Sequence, residues 1–219
     1  MGKKQKIKVC IDLAMTVALP ILMCYSLVGE TAHEIIGVTM FCLFIAHHIL
    51  NIWWIKSLFK GRYTLQRTVG TAVNAFVFLC MLGLMYSAVV ISKHIFAFVV
   101  LGGTMTARTI HLLCAYWGLV LMSIHLGMHI EQMLKSIKRK RSKLSIALYI
   151  ICGILAVVGV YAFIKLKFAD YMFGRVQFVF IDSSAAVILT LLEYLCVMVL
   201  FAEVGYWLNK ALKKSKKND

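Results

Sequence analysis

The chain is poor in proline and in acidic residues. Its single proline is Pro20, and only 9 aspartates and glutamates stand against 24 lysines and arginines. Transporters that work without a cofactor typically use matched helices broken at mid-membrane by glycine or proline, and this sequence has no such matched pair. It also has no G-x-G-x-x-G fingerprint, so we expect no flavin or NAD(P)H domain and no direct oxidation of NADPH.

Apolar residues, in contrast, are abundant and make up 62% of the chain. The net charge of +15 comes largely from short basic clusters at the ends of apolar runs. Lysine and arginine at such positions orient membrane helices and meet anionic lipid head groups, so we do not interpret them as a nucleic-acid-binding surface. The sequence therefore predicts an all-α integral membrane protein, with one transmembrane domain over residues 1–219 and the lipid membrane as partner.

Six apolar segments are long enough to cross a bilayer as helices. The first has no convincing cleavage site, so we interpret it as a retained helix rather than a signal peptide. Nineteen of the 24 basic residues lie in the N-terminal segment, the second and fourth loops and the tail. This bias predicts that both termini face the cytoplasm of a bacterial cell membrane. The predicted spans are approximately 9–29, 33–55, 68–92, 107–133, 144–166 and 184–208.

Two aromatic-rich segments, 94–103 and 168–181, are too short to span the membrane. Both lie at the predicted outer ends of helices. We therefore expect them to form interfacial helices or caps.

Two histidine pairs with identical spacing lie inside these spans. His33 and His47 in the second span, and His111 and His125 in the fourth, are each fourteen residues apart. On an α-helix this spacing corresponds to about 21 Å of rise and about 40° of rotation, so both rings leave one face. The second and fourth spans run in the same direction. His33 and His111 (the outer pair) therefore lie at one depth, and His47 and His125 (the inner pair) lie at another.

Ionisable residues inside membrane spans are costly and usually functional. Two such pairs on two helices predict two stacked haems, each held by one imidazole from each helix within a six-helix bundle. Because there is no C-x-x-C-H motif, the two b-type haems would be held non-covalently. Zinc sites usually draw three or four close ligands, so zinc fits these widely spaced histidines poorly.

Two neighbouring histidines remain alternatives for the inner haem. His48 adjoins His47, and His129 lies one turn beyond His125. The repeated spacing favours His47 and His125. The alternative roles of His48 are contact with a propionate or with a neighbouring helix.

Several residues near these histidines are candidates for contact with the haems. Arg108, together with Lys93, would neutralise the propionates of the outer haem. The candidates for the propionates of the inner haem are Asn51 together with Lys56, Arg67 or Lys135. Each of these basic residues is explained equally well as a helix-flanking side chain whose charged end reaches out to the membrane surface. Three glycines near ligand positions would let a porphyrin approach the backbone or would simply serve helix packing: Gly37, Gly118 and Gly127.

Carboxylates are few in the predicted spans. Glu34 adjoins His33 and would orient this region or receive a proton from the outer face. Glu193 and Glu203 on the last span are candidates for proton transfer or quinone binding, and we place Asp12 at the membrane interface.

The H-x13-H pairs resemble those of cytochrome b561-like and ferric reductase-like transmembrane cytochromes, in which two such pairs bind two b haems. The strings HEIIG (33–37) and AHHILNIWW (46–54) are similar, more narrowly, to a family of small bacterial membrane proteins common in Firmicutes. That family includes haem-sensing and haem-capturing proteins. The resemblance covers about residues 30–133 and implies the four paired histidines as axial haem ligands.

These observations favour a di-haem cytochrome that transfers electrons across or within the cytoplasmic membrane. Such a chain would act as a transmembrane oxidoreductase, ferric reductase-like or quinone-linked, with a quinone or a separate flavoprotein as its redox partner. A protein that captures haem against haem toxicity or oxidative stress would use the same four ligands. That second class of function stays open at the level of sequence.

Overall fold

The computed structural model describes residues 2–135, 143–178 and 186–215, and all regular structure in them is α-helical. Most of the predicted cytoplasmic loop 135–143, the end of segment 168–181 and the last residues of the tail lie outside the described residues. The helices are α1 (Lys3–Met23), α2 (Tyr25–Leu50), α3 (Ile52–Ser57), α4 (Leu65–Ile91), α5 (Thr104–Lys135), α6 (Lys143–Lys165), α7 (Phe168–Met172) and α8 (Val187–Ser215).

Four of these helices, α2, α4, α5 and α8, are long and apolar enough to cross a membrane. Large apolar side chains also cover the outside of the bundle, as shown by Val157 and Ile164 on α6, which are 72% and 70% exposed. Such a surface is stable in lipid and not in water. The prediction of an all-α, multi-pass membrane protein is therefore confirmed.

The remaining two predicted spans correspond to α1 and α6. Helix α1 is 21 residues long but carries Lys6, Lys8 and Asp12 in its first half. Residues 149–165 of α6 form a shorter apolar helix. The count of six spans stays a prediction.

Two helix ends near the outer histidines differ from the predicted boundaries. Helix α1 ends at Met23, six residues before the predicted end, and α2 begins immediately afterwards at Tyr25. Helix α2 is interrupted at Gly29, whose φ of 73° is accessible to glycine at little cost. The chain thus reverses direction in a tight turn and then bends, just before the helical turn that carries His33.

The tightest packing in the bundle occurs where α8 crosses α5 and α6. A Cβ atom built on Gly127 would lie 1.9 Å from the Ala202 carbonyl oxygen, and one on Gly205 would lie 2.1 Å from the Ile124 oxygen. Gly159 on α6 approaches the Cys196 carbonyl in the same way. Small residues that let helix backbones touch are the usual means of helix association in membranes. Of the two roles considered for Gly127, the structure shows helix packing.

Helix α2 is less closely tied to this bundle. It packs chiefly on α1 and has only sparse contacts with α4 and α8. Helix α5 packs mainly on α4 and α8. The two helices that carry the histidine pairs therefore face each other across a space instead of interlocking.

The two short aromatic segments lie at the helix ends near His33 and His111, the predicted outer ends. Residues 94–103 form bends and turns rather than a helix, so only the cap alternative fits them. In α7, Phe168 is fully buried and Tyr171 stacks on Tyr116 with ring centroids 4.3 Å apart. The Trp117 indole N–H donates to the Met172 carbonyl at 2.8 Å. Helix α7 is thus packed into the core of the bundle.

Candidate functional site

The outer histidine pair comes together in the fold. The ring centroids of His33 and His111 are 6.1 Å apart, with an angle of 60° between the ring planes. Two imidazoles bound to opposite sides of one metal ion, through bonds of about 2 Å, would hold their centroids about 6 Å apart. The two rings, contributed by α2 and α5, therefore have the separation that a bis-histidine metal site requires.

These two rings line a cavity of about 760 Å³ between α1, α2, α4, α5, α7 and α8. Its wall is mostly apolar and includes Gly37 and Gly118, two of the three glycines for which porphyrin contact and helix packing were the alternatives. A Cβ atom on Gly37 would meet nothing within 4 Å. The volume and the apolar wall are typical of a site for a cofactor-sized molecule.

Basic residues gather around the same cavity. Only five lysines and arginines fall on the predicted outer side of the protein, and four of them line its wall: Lys93, Arg108, Lys165 and Lys167. Lys167 adopts a left-handed backbone conformation (φ 53°), which is uncommon for a residue with a side chain and frequent at functional sites. Three carboxylates, Glu30, Glu34 and Glu193, line the same wall, so its four basic residues exceed its acidic ones by one.

Lys93 already has an ion-pair partner, since its Nζ lies 2.7 Å from Glu30 Oε1. The hydrogen bond and the charge of Glu30 raise the pKa of Lys93 above its ordinary value. Of the two predicted outer propionate partners, Arg108 is consequently the stronger candidate.

His33 has one unsatisfied atom. Its Nδ1 is buried and has no hydrogen-bond partner, the only such side-chain nitrogen or oxygen in the described part of the chain. A buried polar atom without a partner costs about 1–3 kcal/mol, so it usually indicates a bound water, an ion or a functional role. Since His33 lines the cavity, a ligand or a metal ion there would remove this cost.

The other three predicted ligands each use Nδ1 in a hydrogen bond. His47 Nδ1 lies 2.7 Å from Asp12 Oδ1, and His125 Nδ1 lies 2.7 Å from Asn74 Oδ1. Both oxygens can only accept, so each Nδ1 carries the proton and each Nε2 keeps its lone pair.

His111 also donates a hydrogen bond from Nδ1, in this case to a serine hydroxyl oxygen. Its Nδ1 lies 3.0 Å from Ser87 Oγ, whose own hydroxyl donates to the Gly83 carbonyl, so the serine oxygen accepts from His111. Histidines that bind metals usually donate the other ring N–H to an acceptor in this way. His111, His125 and His47 are therefore all arranged to offer Nε2.

The inner pair is less closely joined than the outer pair. Between histidine rings, the contacts at this level join residues of the same helix, with centroids of His47 and His48 at 5.5 Å and of His125 and His129 at 4.7 Å. His125 still lies within electrostatic range of both His47 and His48. The structure thus gathers four histidines at the inner level without placing two rings across a gap of ligand size.

The two alternative inner ligands have different surroundings. The His48 ring packs on Phe44 and Phe78, and its Nδ1 donates to the Phe44 carbonyl at 2.9 Å. His129 lines a separate, smaller cavity of about 190 Å³, together with Arg67. His47, with a carboxylate behind its Nδ1, has the surroundings more typical of a metal ligand.

The predicted inner propionate partners are engaged elsewhere. Asn51 ends α2, where its amide donates to the His47 carbonyl and its Oδ1 accepts from Lys8 Nζ at 2.8 Å. Arg67 donates to the Ser57 carbonyl, and Lys56 lies over the Trp53 ring. The side chain of Lys135 lies outside the described residues. Asn51, Arg67 and Lys56 would each have to leave these partners to reach a propionate.

Glu34, one of the four carboxylates singled out above, has a structural role. It accepts hydrogen bonds from the Ser92 hydroxyl and from the backbone N–H groups of residues 93, 94 and 95. It therefore fixes the loop after α4 to α2, which agrees with the predicted role of orienting this region. Glu193 is nearly buried in the cavity wall and pairs with Lys165 at 2.5 Å, whereas Glu203 is half-buried on α8.

Sequence reasoning missed the three acceptors behind the histidines. The sequence predicts Asp12 at the membrane interface but does not indicate that its carboxylate contacts His47, a predicted ligand on another helix. Asn74 and Ser87 were not singled out. Their signal in the sequence is a polar residue inside an apolar run of α4, which by itself does not indicate which histidine it faces.

The chain matches no family model, and comparison with curated proteins and with solved structures finds no match either.

Proposed function

We propose that this chain is a b-type membrane cytochrome that holds two haems between α2 and α5 and moves single electrons through them. The observation that carries the proposal is the outer pair, whose rings lie 6.1 Å apart across a cofactor-sized cavity. The buried Nδ1 of His33, which has no hydrogen-bond partner, also supports the proposal. The resemblance at the H-x13-H pairs points to the same function.

The residues present fit such a group at the outer level. His33 and His111 would hold the iron, and the apolar wall with Gly37 and Gly118 would contact the porphyrin. Arg108 lines the same cavity and would pair with a propionate. At the inner level His47 and His125 would hold the second iron, after a rearrangement that brings the two rings across from each other.

Haem supplies the one-electron chemistry, whereas the chain positions the irons and excludes water. The Nδ1 hydrogen bonds of three ligands fix the ring orientation and direct Nε2 to the metal. The fourteen-residue spacing places the two sites about 21 Å apart along the helix axis. With six spans and both termini in the cytoplasm of a bacterial cell, the two sites would lie near opposite faces of its membrane.

Visible spectroscopy of the purified protein tests this proposal directly. Expression with ample haem should give a low-spin, six-coordinate b-type spectrum that changes on reduction with dithionite, with two haems per chain. A protein that remains colourless under these conditions would refute the proposal.

A haem-capturing protein is the second candidate, and the loose attachment of α2 favours it. Because α2 packs chiefly on α1 and only sparsely on α4 and α8, opening this wall of the outer cavity would break few contacts between helices. A protein that loads and releases haem needs such a wall. Tight electron-transfer sites, in contrast, need both haems held permanently.

Reconstitution in proteoliposomes separates the two candidates. A cytochrome that receives electrons from a quinol or a flavoprotein on one side should reduce an impermeant acceptor on the other, and loss of either haem should abolish this flux. A haem-capturing protein should show negligible flux and should transfer haem to apomyoglobin within hours.

A further inference from the structure

We propose that residues 52–64, which join α2 to α4 and include α3 (the α3 segment), lie in the membrane interface and bind the head group of an anionic phospholipid. Large aromatic side chains cover the outside of this segment, where Phe59 is 97% exposed and Trp53 is 72% exposed. Aromatic rings collect where a protein meets the boundary between lipid and water. Both flanking helices are long and apolar enough to cross a membrane, so the segment lies where they leave it.

The charge of the α3 segment is entirely positive. Its three cations, Lys56, Lys60 and Arg62, are exposed, and the sequence has no aspartate or glutamate from residue 35 to residue 130. Within the described part of the chain, none of the three forms an ion pair. Their charges are therefore available to an anionic head group, which basic residues beside a membrane helix attract.

Arg67, in the first turn of α4, holds the α3 segment in one conformation. Its guanidinium donates to the carbonyl groups of Ser57 and Arg62 and lies 4.2 Å from the centre of the Tyr63 ring. The Tyr63 hydroxyl in turn donates to the Leu58 carbonyl at 2.5 Å. The segment is thus ordered before a ligand arrives, which lowers the entropy cost of binding.

The mixture of aromatic and basic side chains favours a lipid over an acidic soluble partner. Lys56 lies over the Trp53 ring, with its Nζ 5.2 Å from the ring centre, and Lys60 directly follows Phe59. A lipid surface offers hydrocarbon to the rings and phosphate to the cations, whereas a soluble partner that met only the charges would leave Phe59 in water. The head group would also anchor the end of α2, which has only sparse contacts with α4 and α8.

Quenching of Trp53 fluorescence by brominated lipids tests the proposal in vesicles. A reporter that keeps only this tryptophan carries Trp54→Phe, Trp117→Phe and Trp207→Phe. It would be reconstituted in phosphatidylcholine vesicles that contain either dibrominated phosphatidylglycerol or dibrominated phosphatidylcholine. We expect half-maximal quenching at an about fivefold lower fraction of the anionic lipid, the effect of one basic residue near an anionic surface. In 1 M salt, where the Debye length is only about 3 Å, the preference should disappear.

Two charge variants of the reporter show whether the α3 segment itself selects the lipid. The first, which should be quenched equally by both lipids, carries Lys56→Gln, Lys60→Gln and Arg62→Gln. The matched control removes three charges from the start of α1 and should keep the preference: Lys3→Gln, Lys4→Gln and Lys6→Gln. Both sites lie at one end of the bundle, because Lys8 on α1 donates to Asn51 at the end of α2. Circular dichroism would confirm equal helix content.

Several results would overturn the proposal. Equal quenching of the reporter by the two lipids would show that the segment does not select an anionic head group. Quenching by neither lipid, together with quenching by aqueous iodide, would show that the segment faces water and would indicate an acidic soluble partner instead. An equal loss of preference in the matched control would assign the effect to overall charge. If the α3 variant does not fold, the reporter in 1 M salt decides, and a preference that survives there refutes the proposal.

Discussion

The crossing of α5 and α8 should be sensitive to a single methyl group at Gly127. A Cβ atom there would lie 1.9 Å from the Ala202 carbonyl oxygen, 2.7 Å from its carbonyl carbon and 2.9 Å from the Tyr206 nitrogen. All three are backbone atoms, which no side-chain rotation can move. Since ordinary contact begins near 3.4 Å, Gly127→Ala requires the helices to separate by about 1.5 Å.

This separation should be costly in free energy. Overpacking of a filled interior typically costs about 1–3 kcal/mol, and alanine recovers about 1 kcal/mol through its higher helix propensity. We therefore expect Gly127→Ala to lower the free energy of unfolding by up to about 2 kcal/mol. The hydrogen bond from Asn209 to the Met128 carbonyl at the same crossing should weaken as well.

Gly118→Ala is the matched control on the same helix. Its Cβ would meet Cys80 Cβ at 3.9 Å and Leu84 Cδ1 at 4.0 Å, which are ordinary contacts. Haem-free protein in mild detergent would be unfolded with a denaturing detergent, and its helix content would be followed by circular dichroism. If the Gly127 variant proves as stable as the Gly118 variant, the crossing is looser than described here.

Three further predictions concern ligands, topology and charge. His33→Ala and His111→Ala should each remove the outer haem, and His47→Ala and His125→Ala should each remove the inner haem. Pyridine haemochrome spectra would count the haems that remain. His48→Ala and His129→Ala should retain both haems, and a loss would show that the wrong inner neighbour was chosen. Cysteine labelling in intact cells should find the 135–143 loop protected and cytoplasmic, whereas labelling from outside would invert the topology. From neutral pH upward, the Lys93–Glu30 ion pair should persist to pH 10.5 and weaken only as the pH rises through the raised pKa of Lys93. Glu30→Gln should return that pKa toward its ordinary value in an NMR titration.

Much of the fold could be predicted because bilayer thickness and apolar run length dictate where the long helices lie. The predicted third, fourth and fifth spans agree with α4, α5 and α6 to within three residues at each end. The helical period then placed His33 and His111 on matching faces, and the structure brings these two rings together.

The features that were missed depend on contacts between distant residues. The contact of Asp12 with His47 depends on how α1 lies against α2, which follows from the early end of α1 at Met23. The packing role of Gly127 depends on α8 crossing at that level. No local pattern in the sequence contains either piece of information.

The sparse packing of α2 has a consequence for how such a protein would be made and degraded in the cell. A haem between α2 and α5 would supply the contacts that these helices do not make directly, so the cofactor would complete the core. Binding to the folded state at a hundredfold excess over the dissociation constant adds about 2.7 kcal/mol of stability. Chains made during haem shortage would expose α2 to membrane proteases. Protein abundance would then follow haem supply without a dedicated regulator.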